Sequence, residues 1–167
     1  MKDIFLIGGV AGSGKSTIAE QLALYLQLPW FSTDQVRRIL RLDESDESQK
    51  LALVWEGTAA LLKGIHPWNG GVVEGTAILP EFVARDLNDV AHIRPLFLIQ
   101  TDEQIAESVE ERSTLPYIKT KSPEEKARKI QQLSESNFAI QQKAGKHGYP
   151  CIEARCVDTF EKVVRLL

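Results

Sequence analysis

Gly9-Val10-Ala11-Gly12-Ser13-Gly14-Lys15-Ser16, followed by Thr17, fits G-x-x-x-x-G-K-[ST] at every fixed position. Ahead of it stands Ile4-Phe5-Leu6-Ile7, a continuous apolar run of the kind a strand buried on both faces requires. Behind it, Ser16 to Gln27 carries Ile18, Leu22, Tyr25 and Leu26 at helical spacing. Strand, glycine loop and helix in that order suit one task. The glycines let successive backbone N–H groups turn inward around a phosphate, and the helix start adds its partial positive charge at the same point. Gly9, Ala11, Gly12, Ser13, Gly14 and Thr17 are thus candidate nucleotide-binding positions. Lys15 is placed to reach the β- and γ-phosphates and Ser16 to ligate Mg²⁺. The stretch predicts binding of a nucleoside triphosphate.

The rest of the composition limits the partners. The 167 residues, 43% hydrophobic and 26% charged, suit one globular domain spanning 1–167. A net charge of −3 supplies no electrostatic footprint for nucleic acid or an anionic membrane. No apolar run approaches the ~20 residues of a membrane span. Met1-Lys2-Asp3 leads straight into the first strand, and Cys151 and Cys156 form neither a metal spacing nor a disulfide framework. The expectation is a cytoplasmic protein.

Further along the chain, Pro29 to Ser32, Val72 to Gly75, Pro95 to Ile99 and Cys151 to Ala154 read as four more strands. Helices are expected over Gln35 to Leu42 (capped by Thr33 or Asp34), from about Ser45 to Gly64, and from Pro80 to Leu87. Thr101-Asp102-Glu103-Gln104 and Ser122-Pro123-Glu124-Glu125 are capping boxes that open two more, and Asp158 to Leu167 closes the chain. Asp43 to Glu47 and Ser113 to Lys121 are polar connections. Five buried strands alternating with helices predict a three-layer α/β/α fold around a five-stranded parallel sheet. Right-handed crossovers then bring the glycine loop, Asp34, Glu74, Gln100 and Ala154 to one sheet edge, where ligands of open α/β sheets bind.

Several nucleotide-binding classes are excluded. There is no Asn-Lys-x-Asp and no Asp-x-x-Gly after the third strand, as GTP-binding switches require, and the chain is too short for a motor ATPase lid domain. What remains is a compact phosphotransferase. The chain resembles the small-molecule kinases of the nucleoside monophosphate kinase superfamily, and within them the 2-phosphoglycerate kinases and their short relatives. The matching pieces are Gly8 to Thr17, Ser32-Thr33-Asp34 with Val36-Arg37, Val73-Glu74-Gly75-Thr76, and Asn137 to Gln141 leading to Gly148 to Ile152. That resemblance implies ATP and Mg²⁺ as cofactors and a small hydroxyl- or phosphate-bearing acceptor, possibilities that include 2-phosphoglycerate, a nucleoside, a sugar acid or an antibiotic. It also implies a short lid at approximately 112–128.

Under that resemblance Asp34 faces the transferring phosphoryl group, where a carboxylate orients or deprotonates an acceptor hydroxyl; its structural alternative is a helix cap. Arg37 is placed to clamp an acceptor anion, in preference to Arg38. Glu74 holds the place of the acid that supports Mg²⁺ or steers the acceptor. Arg112 begins the lid, near the base or phosphates, and Arg128 enters from the long helix as a second catalytic cation; Lys119, Lys121 and Lys129 are the other cations available. Asn137, on the apolar side of that helix, makes either a structural bond to a loop or an acceptor contact. Trp55 and Trp68 belong to the core or to the acceptor pocket, and Arg155 to Asp158 to the adenine side. A regulator that binds ATP without transferring it needs only the loop, so Asp34 and Glu74 argue against that reading.

Overall fold

The computed structural model describes residues 3–40, 47–64, 70–114 and 122–166. Every residue of β1 (Ile4–Gly9) is buried, because the strand pairs in parallel with β3 (Gly71–Glu74) on one side and β4 (Ile93–Ile99) on the other. β2 (Trp30–Ser32) pairs with β3 and β5 (Cys151–Glu153) with β4, giving the order β2-β3-β1-β4-β5. All four pairings are parallel. This is the five-stranded sheet expected from the sequence.

Alternation along β1 feeds two cores. Ile4 and Leu6 join Trp55, Phe97, Ile105 and Ile140, on the face covered by α3 (Glu47–Lys63), α4 (Pro80–Leu87), α5 (Asp102–Ser113) and α6 (Pro123–Lys146). Phe5 and Ile7 face the other way, against Ile18 and Leu22 of α1 (Lys15–Leu26) and Val163 of α7 (Thr159–Val164). Each fully buried aliphatic or aromatic side chain contributes about 1.5–3 kcal/mol on leaving water. Two apolar faces on one strand are what pin it at the centre of the sheet.

The local signals act where they were expected. Both capping boxes form: Thr101 Oγ1 accepts from the Gln104 N–H at 3.3 Å, and Ser122 Oγ accepts from the Glu125 N–H at 3.2 Å. The start of α2 (Thr33–Ile39) differs. Its cap is Ser32, whose hydroxyl accepts from the Asp34 N–H at 3.2 Å, so neither Thr33 nor Asp34 caps it. Trp55 lies fully in the core, its indole N–H donating to Asp86 Oδ2 at 2.6 Å, and so lines no acceptor pocket. Tyr25, Ile39, Leu40 and Leu61 are exposed rather than on a buried side, because each helix buries only one stripe against the sheet. The expected connections at 43–47 and 113–121 fall mostly outside the described residues, as do His66, Trp68, Lys119 and Lys121. No helix among the described residues is long and apolar enough to cross a membrane.

A candidate phosphate and acceptor site at the sheet edge

Register brings the site together. Ile7 on β1 and Ser32 on β2 both stand opposite Glu74 on β3. The glycine loop starts two residues beyond Ile7, and Asp34 lies two beyond Ser32, so loop, Asp34 and Glu74 meet at one edge. Gly75 permits the close approach: its φ is 154°, and a Cβ there would overlap the buried Thr33 hydroxyl.

A cleft of about 340 Å³ is lined by Gly12, Gly14, Lys15, Ser16 and Thr17 of the loop, with Asp34, Glu74 and Arg112. Gly14 has φ 77°, and a Cβ placed on it meets nothing within 4 Å, so its backbone borders open space. Lys15 is buried, its Nζ donating to the Val10 carbonyl at 2.7 Å across the loop. Burial pulls its pKa down from 10.5 to about 8, against the opposing pull of Glu74 and then Asp34, with Arg112 adding to the fall. Ser16 Oγ donates to Glu74 Oε1 at 3.2 Å, which pairs two oxygen donors of the hard type Mg²⁺ takes. The buried Ser13 hydroxyl has no hydrogen-bond partner among the described residues. The cradle fits a polyphosphate: backbone donors, one ammonium and an oxygen pair at its mouth. A bound Mg²⁺ would neutralise charge on the phosphates there.

A second cleft, of about 540 Å³, opens from the first. Asp34 and Arg112 line both. Arg37, Lys129, Lys143 and Glu81 supply its other charges, and Leu51, Leu79, Leu133 and Ile140 are among its apolar lining. Of the neighbouring arginines on α2, Arg37 faces the cleft and Arg38 does not line it.

Several expected placements change. Arg128 is exposed and lines neither cleft; Lys129 takes that position, since neighbours on a helix point about 100° apart. Asn137 is structural: its Oδ1 accepts from the Gln100 N–H at 3.0 Å and its Nδ2 donates to the Gln100 carbonyl at 2.9 Å. Both ends of the amide are thus spent on the sheet edge, away from either cleft lining. Glu74 lines the first cleft and not the second, so it stands beside Ser16 and the glycine loop. Gly9 lines the second cleft and Ser13 neither, because Gly9 still belongs to β1 and Ser13 is turned into the loop. The anticipated lid overlaps residues 115–121, outside the described residues. Near it, Lys126 is paired with Glu110 at 2.7 Å and Arg155 with Glu111 at 2.7 Å, which ties α5 to α6 and to the segment after β5.

Glu81 and Lys143 carry no sequence motif. The signal that reveals Lys143 is spacing: Lys129, Leu133, Ser136, Ile140 and Lys143 recur at intervals of three and four, one face of α6, and all line the cleft.

No protein-family model matches the sequence, and no curated protein matches it. The fold is shared with solved small-molecule kinases. A shikimate kinase from Bacteroides thetaiotaomicron superposes with a TM-score of 0.68 at 18% identity, covering 99% of this chain and 95% of that one. A shikimate kinase from Acinetobacter baumannii, in complex with shikimate, gives 0.64 at 15% identity, over 99% and 93% of the two chains. A gluconokinase from Sinorhizobium meliloti gives 0.61 at 17%, over 98% and 87%. At such identities the likeness extends to the architecture.

Proposed function

We propose that this protein is a kinase that transfers the γ-phosphoryl group of Mg·ATP to a hydroxyl of a small, negatively charged metabolite. The observation that carries the reading is the shared wall: Asp34 and Arg112 line both the phosphate cleft and the second cleft. A phosphoryl group held by Lys15 in the first is thereby next to an acceptor held in the second. Asp34 orients the attacking hydroxyl and takes its proton as the new oxygen–phosphorus bond forms and the bond from the γ-phosphorus to the bridging oxygen breaks, releasing ADP. Arg112 stabilises charge on the transferring group. Glu74 and Ser16 hold Mg²⁺. Arg37, Arg112, Lys129 and Lys143 set four cations against the two carboxylates of Asp34 and Glu81, which favours an anionic acceptor.

The resemblance of the sequence motifs points to a 2-phosphoglycerate-like acceptor, and the solved neighbours add shikimate and gluconate to the candidates. The test is ADP release from Mg·ATP across 2- and 3-phosphoglycerate, sugar acids, nucleosides and nucleoside monophosphates, with Lys15→Ala as control. One acceptor should raise turnover well above the rate with water, and Lys15→Ala should abolish the increase. Tight ATP binding with no acceptor response across the panel would instead favour an ATP-binding regulator.

A further inference from the structure

Arg112 lines both clefts, yet it sits in the last turn of α5, where a helix runs out of its own hydrogen-bond donors and frays. Local bonds hold the backbone there: Ser113 Oγ donates to the Glu110 carbonyl at 2.7 Å and Thr114 Oγ1 to the Glu111 carbonyl at 2.6 Å. One side of the turn rests on the glycine loop. A Cβ placed on Gly12 would lie 2.8 Å from Ser108 Oγ and 3.8 Å from Arg112 Cδ, so the Arg112 stem lies beside the loop. The neighbouring residue is tied as well, for Arg155 Nη2 donates to both carboxylate oxygens of Glu111, each at 2.7 Å. Arg155 lies just past β5, and neither it nor Glu111 lines either cleft.

Arg155 has φ 60°, in the left-handed region that L side chains disfavour. Gln27, the other non-glycine residue there among the described ones, ends α1, where that conformation is an ordinary helix stop. Arg155 ends no helix. Its neighbours hold it in place: the Ala154 N–H donates to the Ile99 carbonyl at 2.7 Å and the Cys156 N–H to Thr159 Oγ1 at 2.9 Å. Glycine would adopt this φ without strain, but it has no guanidinium. An exposed ion pair adds little to stability, so net stability does not explain an arginine here. The remaining consequence of the pair is geometric: it fixes the flank of the turn that presents Arg112.

We propose that Arg155 and Glu111 are positioning residues for phosphoryl transfer, holding the last turn of α5 against the glycine loop so that Arg112 meets the transferring group already aimed. The effect is preorganisation: a guanidinium fixed beforehand stabilises the developing charge without reorganising at that moment. Lys126, which pairs with Glu110 at 2.7 Å on the α6 side of the same turn, completes the frame. The proposal rests on the kinase reading above and adds to it two residues that touch neither cleft.

Calorimetric titration of the full chain with Mg·ADP, alone and with aluminium fluoride standing in for the transferring phosphoryl group, tests it without the acceptor. The parent should bind Mg·ADP–fluoroaluminate more tightly than Mg·ADP by about tenfold or more, and Arg112→Met should remove most of that difference. Arg155→Gly relieves the backbone, so it should keep about the parent's Tm and hold Mg·ADP within about twofold. It should nevertheless bind the fluoroaluminate complex about tenfold more weakly. Glu111→Gln should lose as much, and carries the same test should Arg155→Gly fail to fold. The direction of that second loss is decisive, because removing a negative charge near an anion site would by field alone tighten binding. Added to Arg112→Met, Arg155→Gly should cost nothing further. The positioning role is overturned, with the nucleotide site left standing, by unchanged fluoroaluminate affinity in either folded variant or by an equal loss for Mg·ADP alone. It is also overturned by losses that multiply with that of Arg112→Met, or by a parent that gains nothing from aluminium fluoride. Failure of Mg·ADP itself to bind removes the kinase reading and this one together.

Discussion

The hydroxyl of Ser16 donates to Oε1 of Glu74 across 3.2 Å, joining the first turn of α1 to the tip of β3. Glu74 is 3% exposed, so this carboxylate is held out of water beside the phosphate cradle. Under the proposed kinase reading it is the anchor for a cation at the mouth of the loop.

Removing that anchor should act on the metal. Glu74→Gln keeps the shape and the bond to Ser16 but loses the charge, and should lower Mg²⁺ affinity or turnover about 10–100-fold. Titration of activity against Mg²⁺ checks this. An unchanged Mg²⁺ dependence would remove Glu74 from the metal site.

Lys15 should show a trade between function and stability. Its ammonium, ordinarily near 10.5, is held at about 8 mainly by burial. Between those values the unfolded chain keeps a proton that the folded chain has released, so stability of the nucleotide-free protein rises with pH through that window. Below it, the buried charge is destabilising. Lys15→Met should therefore raise the stability of the free protein at neutral pH by about 1–3 kcal/mol, after allowance for the lost bond to Val10, while abolishing nucleotide binding. Thermal melts with and without Mg·ATP measure both. For the parent chain, nucleotide affinity should weaken as pH rises past about 8, where the ammonium loses its proton.

Asn137→Ala should be costly for a different reason. The substitution orphans the N–H and the carbonyl of Gln100, both held by the amide in a buried setting. The expected loss is about 2–4 kcal/mol of stability, a large share of a small domain's total. Denaturant melts measure it. Full stability in this variant would show that water replaces the amide.

Gly75→Ala places a methyl where the Thr33 hydroxyl already lies, at a backbone φ of 154° that L side chains rarely adopt. A loss of about 1–3 kcal/mol is expected, together with reduced turnover, since Gly75 separates Glu74 from Thr76 at the junction of the two clefts. A melt and an ADP-release assay read the two effects. A fully active variant of normal Tm would show that the start of α2 shifts away from the end of β3 at little cost.

What the sequence by itself determined is local. The strand, loop and helix from Ile4 to Leu26, the capping boxes at Thr101 and Ser122, and the helix opening at Pro80 depend on contacts within a few residues, so composition and spacing were enough to place them. The parallel sense of the strands followed from alternation of strand and helix, and their order in the sheet did not. Only the tertiary structure decided which side chains meet. Ser32 rather than Asp34 caps α2, Lys129 rather than Arg128 lines the cleft, Asn137 spends its amide on Gln100, and Glu81 finds Lys143. Helical spacing assigns residues to a shared face, but not the direction in which that face points. That direction is set by the rotation of each helix against the sheet, which depends on packing between residues far apart in the chain.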